Sequence, residues 1–109
     1  MTILESNDVD TKLNGIADNV LQILSESIDL LPSGKLLFKA SLLEVMKSEF
    51  EKHKSVEIQV NGNIACELII KASKKVGVKF PKIDGSYEAV LFSNGLVFFN
   101  NKTSIKLDS

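Results

Sequence analysis

The 109-residue chain contains no arginine; all thirteen of its basic residues are lysine. Arginine supplies the planar fork that reads guanine and grips phosphate or carboxylate with two bonds. Its absence counts against sequence-specific DNA reading and against phosphoryl-transfer chemistry. Histidine and cysteine occur once each, as His53 and Cys66. One cysteine excludes an internal disulfide and a cysteine-based zinc site made by a single chain. No stretch approaches the roughly 18 apolar residues of a membrane span. The opening MTILESNDVD has no basic leader and no long apolar run, so it does not read as a secretory signal. These absences lead to the expectation of a cytoplasmic protein without membrane contact.

What is present is ordinary for a folded protein. Hydrophobic residues make up 44% and charged residues 25%. The length suits one domain over residues 1–109, with disorder expected only at the ends, residues 1–8 first. A chain of this size buries roughly two-thirds of its unfolded surface, enough for one modest core.

Charge is unevenly spread although the net charge is only −1. Residues 1–34 hold six acids and one lysine; residues 35–82 hold ten lysines and five acids. An acidic first helix and a basic flank are therefore expected, either steering association or holding two segments together.

The apolar pattern predicts an α+β fold: an N-terminal antiparallel helical hairpin, a third short helix, and a small, mostly antiparallel sheet ending in a hairpin. Over residues 9–31, Val9, Leu13, Ile16, Val20, Ile23 and Leu30 recur at helical spacing. Ala17, Leu24, Ile28 and Leu31 widen the stripe, so this helix must be covered on more than one side. Asp8 and Asp10 suit its positive N-terminal end. Pro32-Ser33-Gly34 breaks the chain, and residues 35–53 predict a second helix. Ser41-Leu-Leu-Glu44 has the capping-box spacing, so an alternative starts that helix near residue 42, with KLLFK as a short strand.

VEIQV, residues 56–60, alternates as a strand does. Residues 64–76 admit two readings. A hairpin through Asn61-Gly62-Asn63 would pair Val60 with Ile64. A helix capped by Asn63 would align Ile64, Leu68, Ala72 and Val76 and stop at Gly77. More independent signals favour the helix. VGVKF then reads as a short strand closed by Pro81. YEAVLFS and LVFFN around Asn94-Gly95 predict a two-residue type I′ hairpin. That turn would put Val90, Phe92, Val97 and Phe99 on one face, and Leu91, Leu96 and Phe98 on the other. Both faces are apolar, so both ask for cover. Residues 103–107 could add an edge strand.

Candidate chemistry is thin. His53 lies between two lysines at a helix end, where it suits the dipole better than it suits base catalysis. Cys66 reads as a small core residue. Asp8-Val-Asp10 begins like a calcium loop, but Lys12 and Leu13 stand where a ligand and a glycine are needed. Pro32-Ser-Gly-Lys35 fails as a phosphate loop, because Asp29 stands at the first glycine and Leu36 at the Ser/Thr position.

The one polar constellation is KASKKVGVKFPK, which carries Lys71, Lys74, Lys75, Lys79 and Lys82 and no acid. These five are the candidate binding residues, an anion-facing flank. They also have structural uses. Lysines favour the last turn of a helix, and on an edge strand they block aggregation.

The function expected from these features is a small non-catalytic protein-binding module: an inhibitor, immunity-type protein or regulatory subunit of the kind carried by phages and mobile elements. It is not expected to be an enzyme, and no cofactor or metal is expected. The expected partner is a protein, through self-association as a homodimer or through an acidic target. A nucleic-acid-binding accessory protein using the lysine flank comes second, disfavoured by missing arginine, few aromatics and a pI near 5.8. A small anionic-ligand binder comes third.

Overall fold

The computed structural model describes residues 3–107, and side chains from residue 9 onward. Its elements are α1 (Ile3–Ser27), α2 (Pro32–His53), β1 (Val56–Asn61), β2 (Ile64–Ala65), α3 (Glu67–Val76), β3 (Ser86–Leu91) and β4 (Val97–Asn101). The strands form one antiparallel sheet in the order β2-β1-β3-β4. The fold is α+β, with the helical hairpin preceding the sheet.

The helical hairpin forms through a chain of local causes. Pro32 occupies the first turn of α2, where its missing N–H costs nothing. A residue before proline is pushed out of the helical region, and Leu31 is accordingly extended, at φ −65° and ψ 152°. The first helix ends at Ser27, short of the expected residue 31. At its other end α1 begins at Ile3, so Asp8 and Asp10 lie inside the helix rather than at its N-terminus. The expectation of disorder over residues 1–8 falls in part on residues 1 and 2, which lie outside the described residues.

Packing follows the apolar stripes. Leu13, Ile16, Val20, Ile23 and Leu24 of α1 are buried together with Phe38, Leu42, Val45 and Met46 of α2. The sheet gives this core Val56, Ile58 and Val60 from β1, and Tyr87, Ala89 and Leu91 from β3. α2 lies between α1 and α3 and reaches β1, while α1 lies against β3. Burying a side chain of this size contributes about 1.5–3 kcal/mol, so this shared core dominates the fold's stability. The acidic first helix pairs with lysines of the second: Asp18 with Lys39 at 2.7 Å, and Asp10 with Lys47 at 4.0 Å.

Four local expectations are corrected. First, the second helix spans the expected residues 35–53, and the alternative start near residue 42 is not taken: Ser41 and Glu44 lie within α2 and reach toward α3. The Ser41 hydroxyl donates to the Ala72 carbonyl at 2.9 Å, and Glu44 pairs with Lys75.

Second, residues 64–66 remain bonded to β1 before α3 begins. Ala65 pairs with Val60 and Ile64 with Asn61, leaving Gly62-Asn63 as the loop. The Cys66 N–H donates to the Gln59 carbonyl at 2.9 Å, so the helix starts after Cys66, which stands at the N-cap position without a side-chain capping bond, and not after Asn63. Gly77 does end α3, in the left-handed conformation at φ 71°.

Third, VGVKF is not a strand. Pro81 cannot donate to a ladder, and the backbone bonds of this stretch go elsewhere. The Val78 N–H donates to Ser73 and the Ile83 N–H to Gly62, so the segment wraps the β1–β2 turn. Phe80 packs against Phe38, with ring centroids 6.3 Å apart. Residues 103–107 form no strand either: the Gln22 side-chain amide donates to the Lys106 carbonyl, and Ile105 and Leu107 pack on the core.

Fourth, the C-terminal hairpin is not a two-residue type I′ turn. That turn needs positive φ at both central residues, and Asn94 does not have it. The Gly95 N–H donates to Phe92 and the Phe92 N–H to Leu96, which makes a three-residue loop with Gly95 at φ 87°. The Asn94 side chain accepts from the Leu96 N–H at 3.1 Å and fixes this arrangement.

Candidate functional site

That one-residue change in the loop decides which side chains face outward. The observed register pairs Leu91 with Val97, Val90 with Phe98 and Ala89 with Phe99. In a strand a shift of one residue exchanges the faces. Leu91, Ala89 and Tyr87 therefore point into the core, and Val97 and Phe99 lie half-buried beside them. Phe98 faces out with Val90, and Phe92 and Leu96 extend that outward row past the strand ends.

The result is an uncovered apolar corner. Phe92 is 46% exposed, Leu96 63% and Phe98 49%, with Val90 half-buried among them. Helices α1 and α2 lie on the opposite face, where Ile58, Tyr87, Ala89 and Leu91 are fully buried. Lys12 of α1 donates to the Gly95 carbonyl and ties the hairpin tip to the helical layer. The patch is thus presented on an anchored hairpin.

Its neighbours on the same face are polar. Glu57 stands directly opposite Val90, and Glu88 stands between Gln59 and Asn100. Glu57 and Glu88 are the only charged residues among the outward positions of β1, β3 and β4. Beyond them Lys102, whose N–H donates to Ser86, continues the outward row at the far end.

β4 is also an edge of the sheet. The bonds at Phe92–Leu96 and Ser86–Lys102 set the phase of the ladder, so Phe98 and Asn100 bond to β3. The backbone groups of Val97, Phe99 and Asn101 point away from it. Among the described residues no other strand pairs with that side. The strand VFFNN carries none of the lysines or prolines that blunt an exposed edge.

The five lysines are all exposed, but they are not one surface. Lys71 and Lys75 line an open groove between α2 and α3, with Glu44, Glu49 and Lys52 across from them. Lys75 is bonded to Glu44, and that bond holds the Glu44 carboxyl below its usual range. Lys74 lies on the last turn of α3. Lys79 and Lys82 lie on the irregular 77–85 segment, Lys82 beside Ile83 and Asp84 in a separate hollow. The edge-strand explanation for Lys79 and Lys82 is therefore corrected; the helix-end explanation fits Lys74 and Lys75.

His53 is exposed, 3.6 Å from Glu49 one helical turn away, and Cys66 stands half-buried at the N-cap position of α3. No hydrogen bond joins His53 to Cys66 among the described residues. Nor do any three His, Cys, Asp or Glu side chains of those residues gather as a metal set. The buried polar pair Asn19–Tyr87 is structural. The Asn19 amide donates to the Tyr87 hydroxyl at 3.0 Å, between α1 and the sheet. Burial pushes the phenol up to about 12, with the Asn19 bond pulling the other way. Among the described residues no helix is long and apolar enough to cross a membrane.

Compared with protein-family models, curated proteins and solved structures, the chain matches none.

Alternation in VEIQV already announced Glu57 and Gln59 as outward residues. The composition of the apolar corner was not legible, because both faces of LVFFN are hydrophobic and the pattern alone sets no register.

Proposed function

We propose that this chain is a non-catalytic protein-binding module, of the inhibitor, immunity-protein or regulatory-subunit kind. The contact surface in this reading is the outer face of the sheet at the β3–β4 hairpin. The observation that carries it is the contiguous outward set Val90, Phe92, Leu96 and Phe98, held on an anchored hairpin. Contiguous apolar surface with a polar border marks association sites, and aromatic side chains supply much of the binding energy where they occur. The open edge of β4 supports the same reading, since its free backbone groups suit a bound protein. The partner is either a second copy or a different protein.

The test is affinity purification from native lysate with the wild type and with Phe98→Ser/Leu96→Ser, each with and without nuclease. A nuclease-resistant protein that co-purifies with the wild type and not with the variant is the expected result. Light scattering after gel filtration reports self-association in parallel. A wild type that is monomeric and captures nothing, or captures the same proteins as the variant, overturns the proposal. Material lost on nuclease treatment would transfer the case to the lysine flank.

A further inference from the structure

Taking the outer face as the docking surface, we infer that its occupant is an amphipathic helix of another protein, with lysine or arginine flanking its apolar stripe. The outward row Glu57–Val90–Phe98 crosses three adjacent strands. At about 4.8 Å between strands, that row spans roughly 10 Å. This is about the width of one helix with its side chains. Phe98 and Val90 therefore lie under the stripe of a helix running along β3 and β4, and Glu57 lies at its flank. Glu88 is the next outward residue of β3 and carries the same sign. Phe92 and Leu96 continue the apolar track toward the hairpin tip.

Charge complementarity selects the occupant. A neutral helix over this row leaves Glu57 and Glu88 partly stripped of water with no partner, and an acidic one adds repulsion. A cation on the flank over β1 satisfies Glu57, and one past the end of the apolar stripe satisfies Glu88, which lies in line with Val90 on β3. A strand added at the β4 edge would meet Phe98 but lie three strands away from Glu57, with β4 and β3 between them, so the pairing of acid and aromatic in one row is used by a helix and not by a strand. Helices already cover the opposite face of this same sheet, so one more completes a layered arrangement.

The test uses two synthetic helical peptides of about 18 residues, roughly 27 Å long. They share one leucine stripe, flanked by lysines in one and by glutamates in the other. Each is titrated into the isotopically labelled full chain at low salt, with NMR shifts and affinity as readouts. The lysine peptide is expected to bind about tenfold tighter and to shift the amides of Glu57, Val90 and Phe98. E57K/E88K should reduce that preference below about twofold, while the control E49K/E51K on α2 keeps it. Melting curves establish that both variants fold. Equal binding of the two peptides, a preference untouched by E57K/E88K, or shifts confined to other surfaces overturns the inference. So does a concentration-dependent dimer that blocks the lysine peptide. If Phe98→Ser removes both peptides equally while E57K/E88K changes nothing, the charge inference fails and the docking face stands. If Phe98→Ser/Leu96→Ser leaves native partner capture intact, the docking face itself fails.

Discussion

Phe98 and Phe99 are neighbours in β4, yet Phe99 is half-buried against the core while Phe98 is 49% exposed on the opposite face. The same contrast runs along β3, where buried Leu91 and Ala89 alternate with half-buried Val90 and Glu88. The two faces of one sheet thus use similar residues for different ends. On the inner face, apolar side chains meet the helical layer through α1 and α2 and hold the fold. On the outer face they meet one another across the ladder but no helix among the described residues, so they contribute less to its stability. Hydrophobicity alone does not say which role a residue has; register does.

This contrast is open to test, beginning with the largest effect. Leu91→Ala empties a fully buried site and should cost about 2–5 kcal/mol in denaturant unfolding. A cost near zero would mean that the inner face is not the core. Gly85→Ala comes next. Its added Cβ would lie 2.1 Å from the Lys102 carbonyl oxygen at a backbone φ of +90°. The strain and the displaced 102–103 backbone should cost about 1–3 kcal/mol, read as a lowered midpoint in urea.

Tyr87→Phe should cost about 1–3 kcal/mol at neutral pH, because the buried Asn19 amide loses its acceptor. This variant also carries a pH signature. The phenol is raised in the folded state to about 12, above the unfolded value of about 10. Its contribution to stability is therefore complete below pH 10 and is lost as pH rises toward 12. Urea unfolding from pH 9 to 11.5 should show the gap between wild type and Tyr87→Phe narrowing with pH. A constant gap would remove the titration of Tyr87 from the account.

Phe98→Ser should change stability by less than about 1 kcal/mol while abolishing partner capture. A large loss of stability there would merge the two faces into one role. The smallest effect belongs to the lysines. Lys74→Glu/Lys75→Glu, remote from the hairpin, should leave protein capture within about twofold. If it instead removes a salt-sensitive partner, the functional surface is α3 and not the sheet.

Much of the architecture was legible in the residues. The stripes of the first two helices, the alternation of VEIQV and the stop at Gly77 each have a local physical cause. Elements that depend on competition between local signals were harder. α3 begins only after Cys66 because the Cys66 N–H is already committed to Gln59 across the sheet, which no reading of Asn63 reveals. Ser41 and Glu44 have capping-box spacing, yet both are used on α3, a contact with no trace in sequence distance. The lysine run was visible as composition, but its division between a helical groove and an irregular wrap was not.

By itself the sequence determined the class of the fold, the contrast between an acidic first segment and a lysine-rich one, and the scarcity of histidine and cysteine. Periodicity and composition are local properties and survive without a structure. Only the tertiary structure decided which apolar residues remain uncovered. In LVFFN either face could have been the inner one, and the hydrophobic pattern is nearly degenerate between them. The three-residue loop at Gly95 and the packing of Leu91 and Ala89 against the helices resolve that degeneracy, and they leave Phe98 facing outward.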